Sequence, residues 1–404
     1  KRLIADKRCP IFKRRSFFHD YEDVLDQTVG NAALDLYEYL RDETDYDTDL
    51  IWENLLRTVE LADLVRNLQL TYVLPTRSVD VEPVGTMRTA LVMHVHYMEL
   101  LDQLLGYAAS MPASADLIIT VGSEDKKRYV EQATADLGRT VIVQLVKNRG
   151  RDVAALLVGA RDLVLGYELV CFIHDKKVTQ LSLYSKGDGF AVKCFENLLS
   201  TREFVSNVIA TFDREPRLGM LMPTPPNHAD YFPISAFGWG PNFVRTRKLL
   251  AELGVFVPMD HDKEPIAPLG TMFWFRPAAL APLFDHDWKW EDFPPEPNNI
   301  DGTILHAIER AYGYVVQGSG YFCGWLFSDS FARIELTNLG YYTRELTVAV
   351  ATHWTADTES QMIRTVRTAK TPRQALKAAV VHRIPKVLRG PARLAYRAAR
   401  RVIR

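Results

Sequence analysis

The sequence predicts an α/β protein built on an open, mostly parallel sheet, with a helical region before the sheet and a basic helical tail after it. Three observations carry this expectation. Between Ala90 and Ile173, short apolar runs rich in β-branched residues alternate with segments of helical spacing, the pattern of parallel βαβ units. Residues 1–75 instead read as helical, with apolar side chains at helical intervals over Tyr21–Leu40 and Leu50–Leu68, as in Ile51, Leu55, Val59, Ala62 and Val65. After Glu359 there is no acidic residue but 13 basic ones, which leaves −14 on the rest of a chain whose net charge is −1. The 47% hydrophobic and 25% charged content excludes a wholly disordered or fibrous chain. The longest apolar stretch, Val153–Ile173, is broken by Arg161, Asp162 and Glu168, which argues against a membrane-spanning helix.

Taken in order, helices are expected over Tyr21–Leu40 and Leu50–Leu68, with Pro75 ending that region and the polar residues 76–89 forming a linker. Ala90–Tyr97 is the first strand and Met98–Ala109 a helix. Asp116–Gly122 is the second strand, and Ser123 caps a helix running to Ala135. Val141–Val146, a helix over Asp152–Leu165 and a strand over Glu168–Ile173 complete the regular part. Residues 190–350 are rich in proline and aromatic residues, as in Met222–Asn227, Phe232–Trp239 and Gly270–Pro277, and read as long ordered loops over a site. The division expected is a helical region and linker (1–85), an α/β domain (86–350) and a basic amphipathic tail (351–404). Cys9, Cys171, Cys194 and Cys323 lie far apart, without a CxxC pair, and read as reduced thiols in a cytosolic protein. No signal peptide is visible, and a chain that starts at Lys1 reads as a segment of a longer polypeptide.

Ligands of open parallel sheets bind beyond the carboxyl ends of the strands, so the residues there are the candidates. The run Lys147–Asp152 (KNRGRD) follows the third strand. Asn148, Arg149, Gly150 and Arg151 suit a phosphate at a helix N-terminus, while Asp152 either caps that helix or accepts from a nucleoside. Asp125, after the second strand, is the other nucleoside candidate. His174-Asp175-Lys176-Lys177 follows the fourth strand. Two lysines there can neutralise a diphosphate without a metal, and Asp175 offers the run's one carboxylate for magnesium. His94-x-His96 lacks a third ligand, and the spacings Asp260-x-Asp262 and Asp285-x-Asp287 read as acidic loops. Glu291, Asp292, Glu296 and Asp301 precede a helix; each is a candidate general base, with N-terminal capping the alternative for Asp301.

The order of these runs resembles a GT-A glycosyltransferase, and in particular the rhamnan synthesis protein F family. The resemblance covers about residues 10–346 and rests on KRRSFFHDY (13–21), TDYDTDLIWENLLR (44–57), KNRGRD (147–152), FIHDKK (172–177), GTMFWFRPAAL (270–280) and DGTILHAIER (301–310). It implies a GT-A-like fold and transfer of a sugar, such as rhamnose or another deoxyhexose, from a dTDP-, GDP- or UDP-sugar to a lipid-linked cell-surface polysaccharide. Such transfer takes place at the inner face of the bacterial cytoplasmic membrane. Asn148–Asp152, His174–Lys177 and Asp125 would hold the donor. Asp301 would be the base of an inverting transfer, with Asp292 and Glu296 behind it, and Trp274, Arg276, Trp239 and His306 would meet sugar or acceptor, with a place in the buried core the alternative for the two tryptophans. His-x-Lys at 174–176, where the fold ordinarily has Asp-x-Asp, leaves the need for a divalent metal open.

Arg393, Arg397, Arg400 and Arg404 recur at helical spacing, with Leu394, Ala398 and Val402 on another face, so residues 370–404 suit an anionic membrane surface. The acidic body argues against nucleic acid as a partner. Other glycosyltransferase modules of a longer chain are further partners. The alternative function is a non-catalytic glycosyltransferase-like scaffold in a polysaccharide assembly complex.

Overall fold

The computed structural model describes residue 6 and residues 32–79, 87–176, 184–224, 238–299 and 301–351. Lys177 and the basic tail fall outside these residues. Eight strands form one sheet in the order β1-β8-β6-β7-β5-β2-β3-β4: β1 Thr71–Leu74, β2 Thr89–Val95, β3 Asp116–Val121, β4 Val141–Leu145, β5 Leu169–His174, β6 Leu218–Pro223, β7 Phe273–Phe275 and β8 Phe322–Ser328. All neighbours are parallel except at β7, which runs against both β5 and β6. The fold is therefore mixed α/β around a single, mostly parallel sheet. Among the described residues, one compact unit runs to Asn338, and Leu339–Ala351 belong to a second.

The central strands β2, β3 and β5 are buried almost throughout, as their unbroken apolar runs require of strands covered on both faces. The first turn after β3 follows expectation closely: Ser123 accepts from the Lys126 N–H and starts the helix Glu124–Thr134. The expected helix Leu50–Leu68 is two helices, Asp49–Thr58 and Leu61–Asn67. They separate at Val59-Glu60, where the Glu60 carboxylate caps the second by accepting from Ala62 (2.8 Å) and Asp63 (3.4 Å).

Other elements depart from the expectation because their partners lie far away in sequence. Thr71–Leu74, read as helical, is the edge strand β1; it pairs with β8 in the register Thr71↔Trp325. Gly270–Pro277, read as loop, contains β7, whose Phe273, Trp274 and Phe275 are all fully buried. Residues 190–350 are mostly regular, with helices Arg202–Arg214, Phe243–Glu252 and Ile304–Gly318 and strands β6 and β8. Among the described residues Phe204, Phe212, Phe284, Tyr312 and Tyr314 fill the core, whereas Phe256 and Tyr341 are exposed; residues 225–237 lie outside the described residues. Among the described residues no helix is long and apolar enough to cross a membrane.

Candidate functional site

The chain leaves β2 toward β3 on one side, while β5 lies on the other, so β2/β5 is the point at which the strand order reverses. A cleft of about 700 Å³ opens at the carboxyl ends of these strands. It is lined by the exits of β2 (His94, His96, Tyr97) and β5 (His174, Asp175, Lys176), and by Asn148, Arg151 and Asp152 from the turn after β4. Gly270-Thr271, Glu296–Asn298 and Leu305, His306 and Glu309 complete the wall.

The turn after β4 is fixed by glycine geometry. Gly150 has φ +75°, and a Cβ there would lie 2.5 Å from the Ala154 Cβ and 2.8 Å from Phe293. Arg151 follows with φ +51°, a left-handed conformation that costs a non-glycine residue about 1–2 kcal/mol. The cations of this turn hold the neighbouring loop. Arg149 donates from Nε to the Phe293 carbonyl (2.7 Å) and from Nη2 to the Glu291 carbonyl (3.1 Å), and Lys147 pairs with Glu291 at 3.1 Å. Arg151 reaches Glu296 (Nε–Oε1 3.3 Å) and the Asn298 carbonyl (3.4 Å). Asp152 does not cap the helix. Its half-buried carboxylate makes no hydrogen bond among the described residues, and its Oδ2 lies 4.0 Å from His174 Nε2.

At the β5 exit the three described residues divide the work. His174 is locked in place, with Nδ1 2.8 Å from the Asp175 carbonyl oxygen and Nε2 2.7 Å from that of Gly270. Asp175 is buried and accepts the backbone N–H of His96 (2.7 Å) and of Tyr97; burial pushes its pKa up, against these hydrogen bonds. The carboxylate read from sequence as a possible metal ligand thus ties the β2 exit to the β5 exit. Lys176 is half-buried with Nζ 3.7 Å from the centroid of the Phe190 ring, and it makes no ion pair among the described residues. Burial lowers its pKa, while Cys194, Glu309 and Asp152 pull the other way. Gly270, at φ +92°, makes room for it: a Cβ there would lie 2.7 Å from the Phe190 ring and 3.5 Å from Lys176 Nζ.

Glu309 was not a sequence candidate. Its Oε2 accepts from the Gly270 N–H (2.9 Å) and the Thr271 hydroxyl (3.3 Å), and so sets the turn over Lys176. The available signal was helical: Leu305, His306 and Glu309 fall on one face of Ile304–Gly318. His306 Nδ1 lies 2.8 Å from the Thr303 hydroxyl, and burial lowers its pKa. His94 Nδ1 lies 2.9 Å from the Thr120 hydroxyl, and burial brings its pKa down to about 4, so it is neutral near pH 7.

Several candidates stand elsewhere. Asp125 is 87% exposed and pairs with Arg128, away from the cleft wall. Asp292 accepts the Lys289 N–H in a short exposed turn. Asp301 accepts from Asn242 Nδ2 (2.8 Å) and the Gly302 N–H (2.7 Å) beside Gly240, off the cleft wall. Burial raises its pKa, but these hydrogen bonds more than offset that and leave it below the ordinary range. Trp274 is fully buried in β7 and donates to the Leu198 carbonyl. Trp239 is buried against Tyr314 and donates to the Lys263 carbonyl. Both indoles are core residues, the alternative to a place on a sugar face. Arg276 donates to the Leu218 (2.9 Å) and Phe212 (2.5 Å) carbonyls and lines a separate cleft of about 410 Å³ with Glu168 and Tyr321. Among the described residues no group of three metal-binding side chains converges.

Residues 1–321 match rhamnan synthesis protein F. The chain belongs to that family. It is also similar to the uncharacterized protein WxcX of two strains of Xanthomonas campestris pv. campestris. Each is 29% identical over 250 residues, 61% of this chain and 34% of the relative. The chain spans about a third of the length of these curated relatives. Family membership connects the chain with polysaccharide synthesis.

Proposed function

We propose that this chain is a GT-A-like glycosyltransferase that moves a sugar from a dTDP-, GDP- or UDP-sugar to a lipid-linked glycan. The observation that carries the reading is the meeting of the 148–152 and 174–176 segments in one cleft, around an ammonium without an ion pair and a carboxylate without a hydrogen bond among the described residues. In this reading Asn148, Arg151 and Lys176 hold the donor's diphosphate, and Asp152 accepts from the nucleoside or the sugar. Glu296 takes the part of general base, because it lines the cleft while Asp292 and Asp301 are engaged off it. The acceptor hydroxyl gives its proton to Glu296 as its oxygen bonds to the anomeric carbon from the face opposite the leaving group. The bond to the diphosphate breaks, the electron pair leaves with the nucleoside diphosphate, and the anomeric centre inverts. Lys176 supports the charge that develops on the leaving oxygen.

Asp175 Oδ2 accepts two backbone N–H groups, and in this scheme Lys176 supplies the local positive charge. The tail over 370–404 would hold the enzyme at an anionic membrane surface. The test is a thermal-shift and turnover screen against dTDP-, GDP- and UDP-sugars, with and without EDTA. Because a ligand of the folded state raises stability by mass action, one donor class should raise the melting temperature and be turned over, with EDTA making no difference. A screen without a stabilising donor refutes the reading; binding without turnover turns it toward the scaffold. Deleting 370–404 should release the protein from anionic liposomes in a sedimentation assay.

A further inference from the structure

We infer that Arg151 is a positioning residue shared between two anions: it holds the Glu296 carboxylate while the donor site is empty and moves to the donor's diphosphate when the site fills, freeing Glu296 to act as the base. The inference rests on the transferase reading above, and three observations and one chemical argument carry it. Arg151 and Glu296 line the same cleft and pair at 3.3 Å. Their side chains are 40% and 25% exposed, and a pair so open to solvent is weakly held and easily exchanged. A diphosphate offers the guanidinium a doubly charged, bidentate partner that a single carboxylate oxygen cannot match. Arg151 is also held at φ +51° directly after Gly150, an outlier of the kind that clusters at ligand clamps.

The other partner of Glu296 makes the exchange productive. Asn298 Nδ2 donates 2.8 Å to the same Oε1 that Arg151 contacts, so Glu296 stays oriented when the guanidinium leaves and becomes a stronger base as the neighbouring positive charge departs. The Asn298 Oδ1 is buried and has no hydrogen-bond partner among the described residues, which leaves a second acceptor beside the base for a neighbouring sugar hydroxyl. Arg149 takes no part in the exchange: it holds the same loop through the Phe293 and Glu291 carbonyls, which a diphosphate does not replace. Donor entry would thus activate the base and impose donor-first binding.

The test is calorimetric titration of UDP, GDP, dTDP and pyrophosphate into the full chain and into Glu296→Gln, Arg151→Gln and the double variant, with Arg151→Lys as a conservative control and melting curves for all. Glu296→Gln should bind the responding diphosphate about 3- to 10-fold more tightly, because the competing carboxylate is gone, and Arg151→Gln about 10-fold more weakly. The gain should vanish in the double variant, the non-additivity of two residues in contact. Damage to the fold does not tighten binding, so the sign separates this role from a structural one. An unchanged or weakened Glu296→Gln, or a gain that survives Arg151→Gln, overturns the inference and leaves the transferase reading standing. If the unaltered chain binds none of the four probes, both fall.

Discussion

Two basic runs reach the carboxyl edge of the sheet, and they spend their charge differently. In the turn after β4, Lys147 and Arg149 are committed to the 291–293 loop, while Arg151 makes a solvent-open pair with Glu296. At the exit of β5, Lys176 sits on the Phe190 ring without an ion pair among the described residues, under a turn that only glycine can make. In the first run Lys147 and Arg149 build the wall of the cleft; the second leaves Lys176 for whatever enters it. A formal positive charge is therefore not always one a ligand can use, because a guanidinium that holds backbone carbonyls has little left for an anion.

If this contrast is right, variants should rank by it. Lys176→Met is expected to lower kcat/KM for nucleotide-sugar turnover by roughly 10²–10³-fold, the scale of losing one preorganised charge at the leaving group. A steady-state assay would check this, and near-normal turnover would erase the distinction between the runs. Next is acid sensitivity at the strand exits, where His94 stands beside His174 in register. The folded-state pKa of His94 is depressed from 6.5 to about 4, so between these values the unfolded chain binds more protons. Stability should then fall as pH drops from about 6.5 to 4, by up to about 3 kcal/mol for this one group. Denaturant midpoints for His94→Gln should show less of this loss than the unaltered protein. Arg149→Ala should cost about 1–2 kcal/mol of stability through its two carbonyl bonds, yet shift the donor dissociation constant far less than Lys176→Met. Smallest of all, Lys147→Ala breaks only the exposed pair with Glu291 and should leave the melting temperature within error.

Legibility in the sequence followed the range of the interactions. The strands β2 to β5 could be read because each is an apolar, β-branched run between local turn signals, and the Ser123 cap because its partner is three residues away. That rule also pointed to Asn148, Asp152, His174 and Lys176, which the fold brings together in one cleft at the strand ends. The four residues of β1 pair with β8 some 250 positions later, and the three of β7 are sandwiched between two other strands. Runs that short have no local signature. The same limit explains Trp274: an aromatic residue beside a site motif looks like a sugar platform until the neighbouring strands bury it. Among the four carboxylates of the 291–301 run, composition could not separate Glu296, because its distinction is the wall it faces rather than the residues around it in sequence.

The ion pair between Lys193 and Glu335 bears on where this polypeptide can be shortened. Lys193 is fully buried and Glu335 is 3% exposed, with Nζ and Oε1 2.6 Å apart, so the start of the helix Asp329–Ala351 is pinned to the helix Tyr184–Glu196 whose Phe190 underlies Lys176. An end point upstream of Glu335 would remove one half of this buried pair, a loss of about 3–5 kcal/mol, and would loosen the helix beneath the site. Expression boundaries for crystallisation or assay therefore belong after Asn338, and a shorter fragment found inactive would say nothing about its chemistry.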